Sequence, residues 1–289
     1  MEDTALLLRK LNDRKEFLTE NTIDYLLHQS QLIKKLTKDY EPTALFNIFR
    51  LVSLAEIPYV NRLSYTQTII HFIDKHIATT AGFSYTGKIE DIVPCYNAML
   101  LEAYVRLDKI DSPEVKNALD WIKQYQLFQR NKVTKWPYKG ICKFGGCMKS
   151  TPCYIGIGKT VRALITYSEF TKTKDDKVEQ LIEQGIAYML KHHMYQRLSN
   201  SQPISKHITE LMFPQAYMLS LTDLVYIANN RNLWPDQRTN ALKALVASKM
   251  MQQRKWKIDY IYSHKGYKAF ETRRTASLWI EYIFDDCPV

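Results

Sequence analysis

Apolar residues recur along this chain at intervals of three and four, the period of a helix with one buried face. The pattern predicts eleven helices. A short one begins over 6–11, and Asn21 or Thr22 caps a second that carries Ile23, Leu26, Leu32 and Ile33. A third follows Pro42 and carries Leu45, Phe46, Ile48, Phe49, Leu51, Val52 and Leu54; Pro58 ends it. A fourth runs over about 64–79. The fifth starts at Cys95, and Ser112-Pro113-Glu114 opens the sixth with an N-cap, a first-turn proline and an acid. The seventh, 154–170, is apolar almost all round, and the eighth, 175–192, is one-sided. A ninth spans 215–228. Trp234-Pro235-Asp236 opens a tenth that reaches Met251, and the eleventh spans about 273–284.

The helices alternate in character. The more apolar ones begin near 43, 95, 154, 215 and 273, and the amphipathic ones near 64, 113, 175 and 235. A helix that is apolar all round needs neighbours on every side, whereas an amphipathic helix needs them on one. Two concentric layers satisfy both requirements. Similar tripeptides open the apolar helices: Pro94-Cys95-Tyr96 and Pro152-Cys153-Tyr154, then Pro214-Gln215-Ala216-Tyr217, at intervals of 58 and 62 residues. Such self-similarity marks a repeat of helical hairpins, longer than the roughly 40–47 residues of an open HEAT superhelix. The expectation is an all-α chain folded as one domain over 1–289. Two N-terminal helices (1–40) would precede hairpin repeats (41–289) that come close to a closed ring of six, an α/α toroid.

Composition narrows this further. Nine glycines and ten prolines in 289 residues leave little turn material for a β fold. The net charge of +10 admits an anionic ligand. The basic residues are scattered rather than gathered in one arm, which argues against nucleic acid. No apolar run is long enough to span a membrane, and residues 1–10 do not read as a secretory signal. Five cysteines in such a chain suggest a reducing cytoplasm, with thiols acting as ligands, nucleophiles or core rather than disulfides.

At residue level the repeat resembles that of the prenyltransferase and squalene-cyclase superfamily. The resemblance rests on Leu101, Ala103, Tyr104, Leu107, Ser112-Pro113-Glu114-Val115 and Ala118-Leu119-Asp120-Trp121-Ile122, and again on Ala163-Leu164 and Ala187-Tyr188-Met189-Leu190. It covers roughly 40–285. It implies an α/α toroid around a central apolar cavity for an isoprenoid chain or a polyprenyl diphosphate. The zinc-dependent protein prenyltransferases of that superfamily carry Asp-x-Cys-Tyr-x-x-Trp at the head of an inner helix. Here Cys153 and Tyr154 match, but Thr151 stands for the zinc-binding Asp and Ile157 for the Trp. Where the zinc histidine is expected, the chain reads Thr272-Arg273-Arg274-Thr275. The Asp-x-Asp-Asp acid motif of the cyclases has no counterpart. No catalytic residue is identified on these grounds.

Several candidates for chemistry remain. Cys142, Cys147 and Cys153 form a possible zinc site, at spacings of five and six that exceed the usual two to four. Gly156-Ile157-Gly158-Lys159-Thr160 imitates the end of a phosphate loop without its first glycine or strand, and reads better as close helix packing. Asp175-Asp176 reads as a helix-dipole complement, and His192-His193 as a C-terminal cation. Lys159, Arg162, Asp223, Arg273, Arg274 and Glu281 fall on apolar helices, where a charge must be paired or must serve a ligand. Arg162 and Asp223 would satisfy each other. Alternatively, Lys159, Arg162, Arg273 and Arg274 would hold an anionic headgroup, with Tyr96, Tyr154 and Tyr217 as hydrogen-bond donors. Two functions follow: a terpenoid-cyclase or prenyltransferase-like protein that binds or transforms an isoprenoid-like or other apolar, anionic small molecule, or a non-catalytic helical-repeat scaffold for a protein or peptide.

Overall fold

Short polar side chains fix where the helices begin, by accepting hydrogen bonds from first-turn amides that no carbonyl can reach. In the computed structural model, which describes residues 2–130, 132, 134–138 and 152–289, Asp3 caps α1 (Thr4–Asp13) and Thr19 caps α2 (Glu20–Gln29). Ser30 caps α3 (Gln31–Leu36) with its hydroxyl 3.0 Å from the Ile33 amide. The second helix expected from the apolar pattern is therefore two, broken at Ser30, and its cap is Thr19 rather than Asn21 or Thr22. Then come α4 (Ala44–Leu54), α5 (Ser64–His76) and a hairpin of two-residue strands, β1 (Ala78–Thr79) and β2 (Gly82–Phe83). Pro94 occupies the first turn of α6 (Pro94–Arg106), and Ser112 caps α7 (Pro113–Tyr125). Cys153 precedes α8 (Tyr154–Phe170), and Asp175 caps α9 (Asp176–Lys191).

Three later helices begin after the expected positions, one of them at Asn240, past a short turn (Gln237–Thr239) that Asp236 caps, rather than at Trp234. Pro214 opens no helix. The chain stays non-helical until Ser220 and Asp223 form a reciprocal capping box that starts α10 (Leu221–Asn230). After α11 (Asn240–Lys249), the last helix, α12 (Leu278–Ile283), starts at its cap Ser277 rather than near 273. The Glu271 carboxylate accepts from the Leu278 amide at 2.9 Å and fixes that start. Arg273 and Arg274 consequently lie in an exposed turn ahead of the helix, not on it.

The chain is predominantly helical, and the alternation in character has a structural counterpart. Helices α4, α6, α8 and α10 are buried along nearly all of their faces, whereas α5, α7 and α11 bury one face. The buried helices pack on one another in chain order, α4 on α6, α6 on α8, α8 on α10 and α10 on α12. Helices α5, α7 and α9 pack against α4, α6 and α8. The buried apolar side chains form one contiguous cluster. Among the described residues, no helix is long and apolar enough to cross a membrane.

Contacts far apart in sequence join the two ends of the chain. The Tyr282 hydroxyl donates to Asp13 at 2.9 Å, and Lys35 donates to the Ala269 carbonyl at 2.6 Å. The Arg50 Nε donates to the Gly266 carbonyl at 3.1 Å. A side chain at Gly266 would place its Cβ 2.5 Å from the Phe46 carbonyl oxygen, so glycine is what lets this segment lie on the backbone of α4. Gly156 plays the same part between α8 and α6, where an added Cβ would meet the Pro94 ring at 2.7 Å.

Pro94 is rigid and cannot yield to a new methyl group. Gly156→Ala should therefore destabilise the protein by about 1–3 kcal/mol, despite the roughly 1 kcal/mol by which alanine favours a helix. Urea unfolding followed by circular dichroism measures this, and a gain in stability would contradict the close α6–α8 contact. Ser112→Ala in the same assay should cost about 1 kcal/mol through its lost cap.

Candidate functional site

Four sequential buried segments bring charge to one place. Glu56 follows α4, Glu102 and Arg106 lie one turn apart on α6, Lys159 and Arg162 share a face of α8, and Asp223 lies in the first turn of α10. All six side chains are buried or nearly so. Arg162 is the hub. Its Nε lies 3.0 and 3.1 Å from the two Glu102 oxygens, Nη1 2.8 Å from Asp223 and Nη2 2.6 Å from Glu56. Its guanidinium also stacks 4.6 Å from the centre of the Tyr226 ring. Lys159 binds both Asp223 oxygens at 2.9 and 3.0 Å and Gln215 at 3.1 Å, and the Gln215 amide donates to Glu102. Arg106 pairs with Glu102 at 3.0 Å and donates to Tyr226. Three cations thus face three carboxylates, with neutral donors and acceptors closing the remaining valences.

The electrostatics follow from this arrangement. Burial by itself would raise the Glu102 carboxyl. The charges of Arg162 and Arg106 and the hydrogen bonds from Gln215 and Arg162 outweigh it and bring the group down to about 2. Asp223 is lowered in the same way: burial is overcome by Lys159, Arg162 and the Ser220 amide. Lys159 and Arg162, expected to hold a ligand headgroup, are thereby committed to protein carboxylates, and the pairing of Arg162 with Asp223 is part of a larger network. Glu56, Glu102 and Arg106 did not emerge from the sequence reading. The spacing of Glu102 and Arg106, four apart within an otherwise apolar helix, is the signal that could have found two of them.

The three candidate tyrosines do not converge. Tyr96 and Tyr217 stack with ring centres 6.2 Å apart, and Tyr262 meets Tyr217 at 5.6 Å and Phe49 at 5.1 Å. Tyr85 flanks Tyr96 at 5.7 Å. This half-buried aromatic cluster gathers side chains from α4, the chain after β2, the head of α6, the chain before α10 and the chain after α11. Beneath it Cys95 is buried, and burial, with Cys153 close by, pushes its thiol up to about 12, so it remains protonated. Tyr154 points elsewhere, toward α9. It donates to the Met194 carbonyl at 2.6 Å and packs against Tyr188 and His192 beside a cavity of about 360 Å³. His192 is 4% exposed, and burial lowers its pKa, so it is a neutral imidazole rather than the helix-end cation expected. Asp175, by contrast, caps α9 as its sequence suggests, accepting from the Lys177 and Val178 amides.

Of the possible zinc ligands, Cys142 and Cys147 lie outside the described residues. The zinc positions of the prenyltransferase pattern do not fit that metal: Cys153 stands ahead of α8, Thr151 offers no carboxylate, and 272–275 is an exposed turn without an imidazole. The glycines of Gly156-Ile157-Gly158 lie inside α8 and serve packing. The chain matches no protein-family model and no curated protein sequence.

Removing Arg162 would take one cation from each of three buried carboxylates, leaving Asp223 to Lys159, Glu102 to Arg106 and Glu56 to Arg9 at 3.6 Å. Arg162→Met should cost about 3–5 kcal/mol in urea unfolding, and an effect under about 1 kcal/mol would contradict the hub. Glu102 and Asp223 have folded pKa values below their unfolded ones, near 4.3 and 3.9. Their stabilisation is complete above about pH 4.5 and is lost as the pH falls through the depressed folded values, that of Glu102 lying at about 2. Thermal midpoints measured across that window should fall in the native protein, and less steeply in Glu102→Gln.

Proposed function

We propose that the chain is a non-catalytic helical-repeat scaffold of the α/α-toroid kind, which takes a protein or peptide partner on its outer surface. The toroid reading draws support from the alternation of enclosed and one-sided helices, from the packing of successive enclosed helices, and from the contacts of α12 with α1. The single observation that carries the scaffold reading is the ion network itself. On the toroid reading, Arg162 and its three carboxylates would fill the centre where the resemblance implies an isoprenoid cavity, and the cavity beside Arg162 and Tyr226 is of about 20 Å³, the size of one water. A charged, closed centre is a poor solvent for a prenyl chain. The net charge of +10 favours an acidic partner. Unpaired buried thiols at Cys95 and Cys287 suit a cytoplasmic setting.

The isoprenoid reading keeps one observation in its favour, the half-buried aromatic cluster of Tyr96, Tyr217, Tyr262 and Phe49. Native mass spectrometry and thermal-shift measurements with farnesyl diphosphate and with farnesol separate the two. The scaffold reading expects no adduct and no shift of midpoint with either. A stoichiometric adduct weakened at least tenfold by Tyr96→Ala or Tyr217→Ala would overturn it in favour of isoprenoid binding.

A further inference from the structure

Positive charge is unevenly balanced along the chain. Residues 231–275 carry eleven Lys and Arg against three Asp and Glu, a net +8 beside the +10 of the whole. Between α11 and α12 the chain is not helical, and over 256–264 it has neither turn nor bend. Side chains there alternate with the period of a strand. The even-numbered ones from Trp256 to His264 are buried or half-buried, whereas Lys255, Lys257, Ile261 and Ser263 are exposed. Two contacts hold the segment in place. The Asp259 amide donates to the Leu211 carbonyl at 2.9 Å, and the Trp256 carbonyl accepts from the Ser277 amide at 2.7 Å.

The segment has the form of a strand without a neighbouring strand. The backbone amides and carbonyls of Lys257 and Ile261 have no hydrogen-bond partner among the described residues, and Ile261 is 39% exposed. Backbone groups so placed pair with water or with another chain. The charge beside them is equally uncommitted. Lys255, Lys257, Arg273 and Arg274 are exposed, and none forms an ion pair among the described residues. The bond from Ser277 to Trp256 sets the turn that carries Arg273 and Arg274 near the two lysines. Neighbouring carboxylates are engaged elsewhere: Asp259 pairs with Lys249 at 2.7 Å, and Glu271 accepts from the Leu278 and Trp279 amides. Glu281 lies within electrostatic reach of Lys255.

We propose that an extended acidic peptide docks along 255–263 as an added strand. Its backbone pairs with the open amides and carbonyls of Lys257 and Ile261, and its carboxylates engage Lys255, Lys257, Arg273 and Arg274. Lys255 and Lys257 stand on one face about 7 Å apart, so acids at alternate positions of the peptide match them. Charge complementarity selects such a peptide over a basic one. The site rests on the scaffold reading, of which it names the partner and the place.

Fluorescence anisotropy of the full chain with three labelled probes tests this: a peptide of five Glu-Thr repeats, its Lys-Thr counterpart, and a ten-residue oligouridylate. The acidic peptide should bind with a Kd below about 100 μM at low salt, and the basic peptide should not bind measurably. The double variant Lys255→Gln/Lys257→Gln changes exposed residues only and should weaken the acidic peptide at least tenfold. Amide hydrogen exchange at Ile261 should slow at least tenfold when that peptide saturates the chain, which charge attraction without strand pairing would not produce. Unchanged affinity in the double variant, unchanged exchange at Ile261, or tighter binding of the oligouridylate than of the acidic peptide would each overturn the proposal. No binding of the acidic peptide below about 1 mM, together with no farnesyl diphosphate adduct, would overturn this site alone. An adduct weakened by Tyr96→Ala would count against the scaffold reading itself.

Discussion

A guanidinium buried among helices must find anions on every side from which water has been withdrawn, and Arg162 meets that demand with three carboxylates drawn from three other segments. The requirement is mutual. Glu56, Glu102 and Asp223 could not be enclosed without Arg162, Lys159 and Arg106, so none of the four segments can reach its place independently of the others. Apolar packing alone would tolerate small slides of α6 over α8. Bidentate contacts at 3.0 and 3.1 Å between Arg162 and Glu102 do not, since a slide of one turn would separate opposite charges in a medium of low dielectric constant. The network therefore sets the register in which the apolar surfaces meet.

Much of the surrounding structure accommodates that register. Gly156 lets α8 approach Pro94 on α6, which brings the Arg162 level of one helix beside the Glu102 level of the other. Ser220 orients Asp223 through the capping box while two cations approach the carboxylate from α8. One acidic side chain thus starts a helix and neutralises the centre. The position of α10, seven residues past Pro214, follows from where that carboxylate has to be.

What could be read from the sequence depended on the range of the interaction responsible. Ser112-Pro113-Glu114 and Asp175 act within one turn of themselves, and both caps stand where the residues suggest. The all-round apolar character of α8 marks a helix with neighbours on every side, and it has them. Pro214 and Arg273 misled because a proline and a polar run look locally like helix openings. The groups that decide are Ser220 with Asp223 and Ser277 with Glu271, further along the chain. Glu56 pairs with Arg162 across 106 residues, and no local period reports that. His192 is neutral because of what buries it, which is again a property of the folded chain.

The contacts of the first helices also bear on the order in which the chain can be completed. Arg50 on α4 finds Gly266, Lys35 finds Ala269 and Asp13 finds Tyr282, at separations of 216, 234 and 269 residues. During synthesis α1 to α4 emerge well before the residues that cover them. Until those residues emerge, the backbone of α4 at Phe46 and the Nε of Arg50 await the segment around Gly266, whereas Nη1 already has Leu36, Asp39 and Tyr65 at hand. The nascent chain carries that unfinished seam until Gly266, Ala269 and Tyr282 have been made.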